Sequence, residues 1–460
     1  MGQNKTVLIN ILSTVLLQGV TIFTAPIFSR ILGTNNYGIV SVFNTWATII
    51  VIIFPICVNS TLSMSVNEYD ENERKKYQSS IYFLGLVSFS VFSVICLLFI
   101  RQVAFWLKEG YLFVILLLLT SLGNFCTEFA INKNTLEFRP HHNLILSLLS
   151  LAGNVGLGIP LVYFMREETN YYGKIIAYAV TSLLCGILVS IRIFREGRTL
   201  YSSKYWKFCI PLCVPVIFHS LSNTVLSQSD RIMLQNMESN SVTGVYSLAY
   251  SFGGVLVSIY SALNNSWIPF YYRYIQENEA EKLKTRAGNY IKLYTIICCG
   301  FLLMYPEVFK VFASSNYWSG LQIMPILVAS FFLMFLYSLS VNYEFYYKKT
   351  RVMAVITVSA AVINILLNYL LIGKSGMIGA AVATFISYLY EFIAHFLYVR
   401  IVFKKRYPFQ IGFYMKPLLG FMLVNIFFLV FYENYILRWA LAMILGVVWI
   451  LEAWKNKRIF

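Results

Sequence analysis

Fourteen stretches of roughly 20 apolar residues run almost end to end through the 460-residue chain, at about 7–29, 39–60, 79–100, 111–131, 144–164, 174–194, 208–229, 244–265, 289–311, 320–344, 353–373, 378–399, 412–431 and 437–454. No other feature restricts the fold so tightly. A backbone inside lipid has to satisfy its own N–H and C=O groups, which leaves only α-helices and closed β-barrels. Barrel strands are about ten residues long and alternate in polarity, whereas these runs are longer and apolar throughout. Charged residues make up 12% of the chain against 58% hydrophobic, where a soluble domain is about a quarter charged. The expectation is an all-α polytopic membrane protein with about 14 transmembrane helices.

The net charge of +16 raises the question of a nucleic-acid partner, and the loops answer it. With the N-terminus inside, only nine of the 36 Lys and Arg residues fall on the outer side: Arg30, Arg101, Lys108, Arg166, Lys174, Arg231, Lys310, Lys374 and Arg438. The remaining 27 lie inside, the bias that orients membrane proteins. The charge is thereby accounted for without nucleic acid, and both termini are expected in the cytoplasm. The apolar run after Lys5 extends to about Phe28 without a clear cleavage site, so it reads as a retained first helix. The eight cysteines (Cys57, Cys96, Cys126, Cys185, Cys209, Cys213, Cys298 and Cys299) all sit in apolar runs and show neither a disulfide frame nor a zinc spacing.

The chain contains itself twice. Asn154 falls opposite Asn364 and Gly173 opposite Gly379, while after spans one and seven Arg30 meets Arg231 and Gly38 meets Gly244. Spans one to six and seven to twelve therefore form two six-helix repeats in the same orientation, a transporter plan with a central cavity between the halves. The expected organisation is an N-terminal half (1–194), a cytoplasmic linker (195–207), a C-terminal half (208–400), and two additional helices with a tail (401–460). Most loops are short. The longest inner connection, 266–288, carries Pro269 and then a charged helical pattern, which reads as a solvated or interfacial helix. Spans eleven and twelve form a hairpin around Gly373–Gly376, with Asn364 and Asn368 on one face of the first helix and Gly379, Ala380, Ala381, Ala383 and Thr384 on the second.

The segments SRILGTNNYGIVSVF after span one, SDRIMLQNMESNSVTGVYSLAY after span seven and INILLNYLLIGKSGMIGAAVATFISY across spans eleven and twelve resemble the polysaccharide-exporting flippases. These are the O-antigen and capsule repeat-unit branch of the multidrug/oligosaccharidyl-lipid/polysaccharide exporter superfamily, and the resemblance covers essentially the whole chain. It implies a bacterial plasma-membrane protein that moves an undecaprenyl-pyrophosphate-linked oligosaccharide from the inner to the outer leaflet. No covalent chemistry is implied, so the chain is not expected to be an enzyme. The partners implied are the lipid-linked substrate and membrane lipids, with the protein acting as a monomer near polysaccharide-assembly proteins.

A pyrophosphate head is best met by guanidinium or ammonium groups, which makes Arg30, Arg231, Lys292 and His219 the candidates. Each has a plainer reading. Arg30 sits at headgroup depth as an interfacial anchor unless Pro26 kinks its helix inward, Arg231 neutralises Asp230, Lys292 snorkels, and His219 packs below Pro211 and Pro215. Sugars are bound by amides, hydroxyls and aromatic faces, which adds Gln18, Asn44, Asn124 and Asn223, with helix-to-helix hydrogen bonding as the alternative. Glu128, Glu344 and Glu391 are acids inside or at the ends of spans, and all three read as solvated or paired near the inner face. Sodium-driven members of the superfamily place an acid on span seven near two polar residues four apart on span eleven and a Thr on span twelve. The resemblance carries this to Asp230 or Gln228, Asn364, Asn368 and Thr384. Both span-eleven positions are neutral amides here, which weakens a site for a hard cation. No cofactor and no metal beyond a coupling Na+ is expected, and H+ is the alternative ion.

Two rivals remain. A cation-coupled multidrug exporter of the same superfamily is expected to place acids in its cavity, and spans one and two contain none. A membrane-bound glycan-processing enzyme needs a large outer loop or clustered His, Asp or Arg near one face, and no loop is long enough to hold one.

Overall fold

The structure, a computed structural model, describes the backbone of residues 3–456 and the side chains of residues 24–451, except at positions 67, 140 and 405. Its helices are α1 (Gln3–Ile53), α2 (Ser65–Glu68), α3 (Glu71–Leu98), α4 (Ile100–Leu107), α5 (Tyr111–Leu136), α6 (Pro140–Phe164), α7 (Tyr171–Gly197), α8 (Ser203–Met237), α9 (Asn240–Gln276), α10 (Ala280–Phe312), α11 (Met324–Tyr346), α12 (Thr350–Phe403), α13 (Ile411–Val430) and α14 (Tyr435–Asn456). Among the described residues there is no strand.

Two of these helices are longer than any bilayer requires, and each is broken by one glycine. α12 has 54 residues, about 80 Å if continuous, but its backbone leaves the helix at Gly376 (φ 52°, ψ −131°). Asn364 Nδ2 donates to Ser387 Oγ at 3.3 Å and the hydroxyls of Ser359 and Tyr390 meet at 2.8 Å, pairs that a straight helix would hold roughly 35 Å or more apart. The chain has folded back on itself. A Cβ on Gly379 would lie 2.2 Å from the Leu371 carbonyl oxygen, so the two arms touch at the base of the turn. α1 breaks likewise at Gly33 (φ 69°, ψ 175°), a left-handed φ that costs glycine nothing.

Among the described residues eleven helices are long and apolar enough to cross a membrane. Dividing α1 and α12 at their glycines and adding the shorter apolar helix α14 brings the number to fourteen, as the sequence led us to expect. The surface agrees with this reading: Val91, Val94 and Leu98 of α3 and Leu423, Leu429 and Val430 of α13 are exposed, a display that only a lipid solvent leaves unpenalised.

By backbone contacts the described residues group into two compact units, one containing Ile31–Gly244 and the other Thr21–Arg30 with the chain from Val245 onward. In the first, α5, α6 and α7 pack side by side over a core that includes Tyr77, Tyr82, Phe125 and Phe129. In the second, Trp267 stacks on Tyr290, and Phe335 stacks on Tyr294. α14 docks on α10 through Arg438, which is 2% exposed, pairs with both carboxylate oxygens of Glu307 and donates to the Leu303 carbonyl at 2.7 Å.

The internal repeat has geometric counterparts. In the α6–α7 pair a Cβ on Gly173 would meet the Leu161–Val162 backbone at 2.7 Å, the same base-of-turn contact that Gly379 makes in α12. Gly153 lies against Thr181, just as Asn364 lies against Ser387. Most telling, Gly38 and Gly244 pack on each other. A Cβ on Gly38 would sit 1.9 Å from the Asn240 carbonyl oxygen, and one on Gly244 would sit 2.0 Å from that of Thr34. Each glycine thus abuts the carbonyl four residues before its partner. Equivalent residues of the two repeats meet in a self-complementary crossing of two helix N-terminal turns.

One local expectation differs from what is found. The connection 266–288 is not a separate interfacial helix: α9 runs through Pro269 to Gln276 and α10 begins at Ala280, so two long helices meet at a tight turn where Asn278 takes φ 54°. In α1 the helical φ/ψ values depart at Gly33, and Pro26 lies within the helix one turn before Arg30.

Candidate functional site

Arg30 is exposed and donates to the Val311 carbonyl at 2.5 Å. That carbonyl belongs to the last turn of α10, where a cation complements the helix dipole. Beside it lies a largely apolar recess lined by Pro26, Leu248, Phe252, Phe309 and Phe312, with Ser251 as its polar side chain. Lys292 is exposed on α10. Arg231 and His219 belong to α8 and to the other unit: Arg231 takes the Asp230 carboxylate on its backbone N–H at 2.9 Å and reaches Gln228 Oε1 at 3.2 Å, while His219 Nε2 lies 3.2 Å from Asn223 Nδ2. The four candidate cations are thus divided between the units. Asn44 is exposed. The side chain of Gln18 lies outside the described residues.

Asn124 fares differently. Its Nδ2 donates to the Tyr178 hydroxyl at 2.9 Å, across the α5–α7 packing. Glu128 stands one turn further along α5, close enough to act on both Tyr178 and Cys57. Lys174 stands one turn before Tyr178 on α7. The spacing of four on both helices builds a single polar row of ammonium, phenol, amide and carboxylate, in which Lys174, Tyr178 and Asn124 are half-buried and Glu128 is exposed. The sequence counted Lys174 only among the outer-side cations, and Tyr178 carried no sequence signal of its own.

The ion-site residues fall into two groups. Asn364, Asn368 and Thr384 come together in the α12 hairpin, all fully buried. Asn368 Nδ2 donates to Asn364 Oδ1 at 2.9 Å and Thr384 Oγ1 to the Ala380 carbonyl at 3.1 Å, while Asn368 Oδ1 has no hydrogen-bond partner among the described residues. Asp230 and Gln228 belong to the other unit.

The sequence reading named Thr384, Glu344 and Glu391 singly and missed the arrangement that joins them. Thr384, Ser387, Tyr388, Glu391 and His395 recur at spacings of three and four along the second arm of α12, and all are buried. His395 Nδ1 lies 3.0 Å from both carboxylate oxygens of Glu344 on α11. Of the two readings for these acids, solvated or paired, Glu344 takes the second, with His395 as its partner, while Glu391 is buried at 2% exposure. The missed signal was Glu391-xxx-His395, one helical turn of polar spacing inside an apolar run.

The fold is thus a many-spanning helical membrane bundle with an internal repeat and a buried polar stripe on α12. The chain belongs to the polysaccharide biosynthesis protein family, whose model matches residues 4–275. It is 22% identical over 400 residues to the "Probable low-salt glycan biosynthesis flippase Agl15" of Haloferax volcanii, covering 84% of this chain and 81% of that one. It is also 22% identical over 351 residues to a protein of the Lsg locus of Haemophilus influenzae, covering 74% and 84%. Among solved structures the fold is similar to the lipid II flippase MurJ in an inward closed conformation (TM-score 0.64, 15% identity, 99% of both chains). It is also similar to an inward-facing multidrug resistance MATE transporter of the MOP superfamily (TM-score 0.59, 13% identity, 87% of this chain and 95% of that one).

Proposed function

We propose that this chain is a flippase that carries undecaprenyl-pyrophosphate-linked oligosaccharide repeat units from the inner to the outer leaflet of a bacterial plasma membrane. In this reading the two halves, 1–194 and 208–400 joined by 195–207, rock about a central cavity, and both termini are cytoplasmic. The observation that carries it is membership of the polysaccharide biosynthesis family together with a fold that matches a lipid-linked glycan flippase over its full length. Within the first unit, Asn124 and Tyr178 supply the amide and phenol that sugar hydroxyls require, and Lys174 supplies the cation for a phosphate. The opposite charges of Lys174 and Glu128 in one row suit a zwitterionic or polyhydroxylated head better than a purely cationic drug.

The test is deletion in the native host. Loss of the protein is expected to leave lipid-linked oligosaccharide accumulating on the cytoplasmic leaflet and to abolish the surface polymer. Asn124→Ala combined with Tyr178→Phe should restore less polymer than the wild type at equal protein level. Unchanged lipid-linked glycan in the deletion strain would refute the reading, and new sensitivity to cationic drugs would favour the multidrug alternative.

A further inference from the structure

The second unit buries two carboxyl groups, Glu344 and Glu391, and one imidazole, His395. Glu344 is answered by the ring N–H of His395, which reaches both of its oxygens, and Tyr337 stacks over that imidazole with ring centroids 5.7 Å apart. Glu391 is not answered in this way. Its Oε2 is buried without a hydrogen-bond partner among the described residues, and its surroundings are the phenols of Tyr337 on α11, Tyr260 on α9 and Tyr388 on its own helix. Tyr398 faces Glu344, and Tyr414 of α13 packs on Phe392 and Phe396.

The charge balance decides what such a site holds. With both carboxyls ionised, one imidazolium at most compensates them, leaving a bare negative charge in an apolar bundle; a buried group in that position takes up a proton. Metal is a poor substitute, because among the described residues no three His, Cys, Asp or Glu side chains converge on a common point. Sodium fares no better in the hairpin above, where Asn364, Asn368 and Thr384 bring oxygens but no carboxylate.

We propose that Glu391, flanked by Tyr337 and by the His395–Glu344 pair, is a proton-binding site inside the second unit, and that the ion coupled to transport is a proton. In the loaded state the proton sits on the Glu391 carboxyl, which is neutral. On release the proton passes to water, and the carboxylate left behind is held by the Tyr337 hydroxyl. The buried polar stripe from Thr384 to His395 spans about 16 Å and gives the proton a route through otherwise apolar helix. The coupling part of this inference rests on the transporter reading; the binding part does not.

The experiment separates the two. Infrared spectroscopy of the purified, reconstituted protein is recorded as buffer pH is stepped from acid to alkaline. The wild type is expected to show the C=O stretch of a buried protonated carboxyl that Glu391→Gln loses and that Glu433→Gln, in an exposed loop, keeps. Retention of that band in a folded Glu391→Gln protein overturns the site. Tyr337→Phe, which removes only a hydroxyl, is expected to shift the band and keeps the test open if Glu391→Gln fails to fold. Surface polymer is then measured in cells. Glu391→Gln is expected to export at least tenfold less than wild type at equal protein level, with Glu391→Asp partly active. Wild-type export by Glu391→Gln, or export that follows a sodium gradient alone, overturns proton coupling. A wild type that exports no glycan overturns the proposed function and leaves the spectroscopic result standing.

Discussion

Replacing Gly244 by alanine tests the repeat crossing directly. The added Cβ would lie 2.0 Å from the Thr34 carbonyl oxygen, some 1.4 Å short of the 3.4 Å at which an ordinary contact begins. The obstacle is backbone at the first turn of a helix, which no rotamer change can move aside. The helices have to separate, at the cost of the dispersion contacts along the crossing, and overpacking of this kind costs about 1–3 kcal/mol. Gly38→Ala meets the Asn240 carbonyl at 1.9 Å and is expected to cost as much. Because one separation of about 1.5 Å relieves both clashes, the double variant should cost little more than either single one, a coupling of at least about 1 kcal/mol. Gly254→Ala, with nothing within 4 Å, is the control and should be neutral or slightly stabilising. Reversible unfolding in mild detergent titrated with a denaturing one reads all four. The reasoning is refuted if either single variant lies within about 0.5 kcal/mol of wild type, or if the two penalties simply add.

Other perturbations follow from the same geometry. Arg438→Met removes a buried bidentate pair with Glu307 and strands the Leu303 carbonyl, so unfolding should become easier by about 2–3 kcal/mol; Glu307→Gln, which keeps the donors partnered, should cost less in the same assay. Glu109, in the turn between α4 and α5, has its carboxyl pushed up to about 7 by burial. A raised carboxyl pKa favours the protonated folded state, so its contribution is complete below about pH 4 and is lost as pH rises through about 7. The melting temperature of wild type should therefore fall across that window relative to Glu109→Gln, and parallel pH profiles would count against the assignment.

Length and polarity of the apolar runs were enough to determine the class of fold, because lipid removes every alternative to a self-satisfied backbone. The helix count was legible for the same reason, and so was the α12 hairpin, whose glycines and amides stand where a turn and a close approach need them. The repeat was legible as an alignment of Gly38 with Gly244 and Gly173 with Gly379. Its meaning was not, since an alignment says that two residues are equivalent and cannot say that they touch.

Candidate sites divided along the same line. Arg30 and Arg231 drew attention as charges, and tertiary structure turned Arg30 into a cap on α10 and gave Arg231 local partners at Gln228 and Asp230. Lys174 and Tyr178 became interesting only once α7 was laid beside α5. His395 was passed over because a lone histidine in an apolar run carries no charge pattern, and it takes α11, 51 residues earlier, to bring Glu344 to its ring. A sequence determines what each segment must hide from lipid, since that depends on the segment alone. Which polar groups are hidden together depends on two helices meeting, and only the tertiary structure decides it.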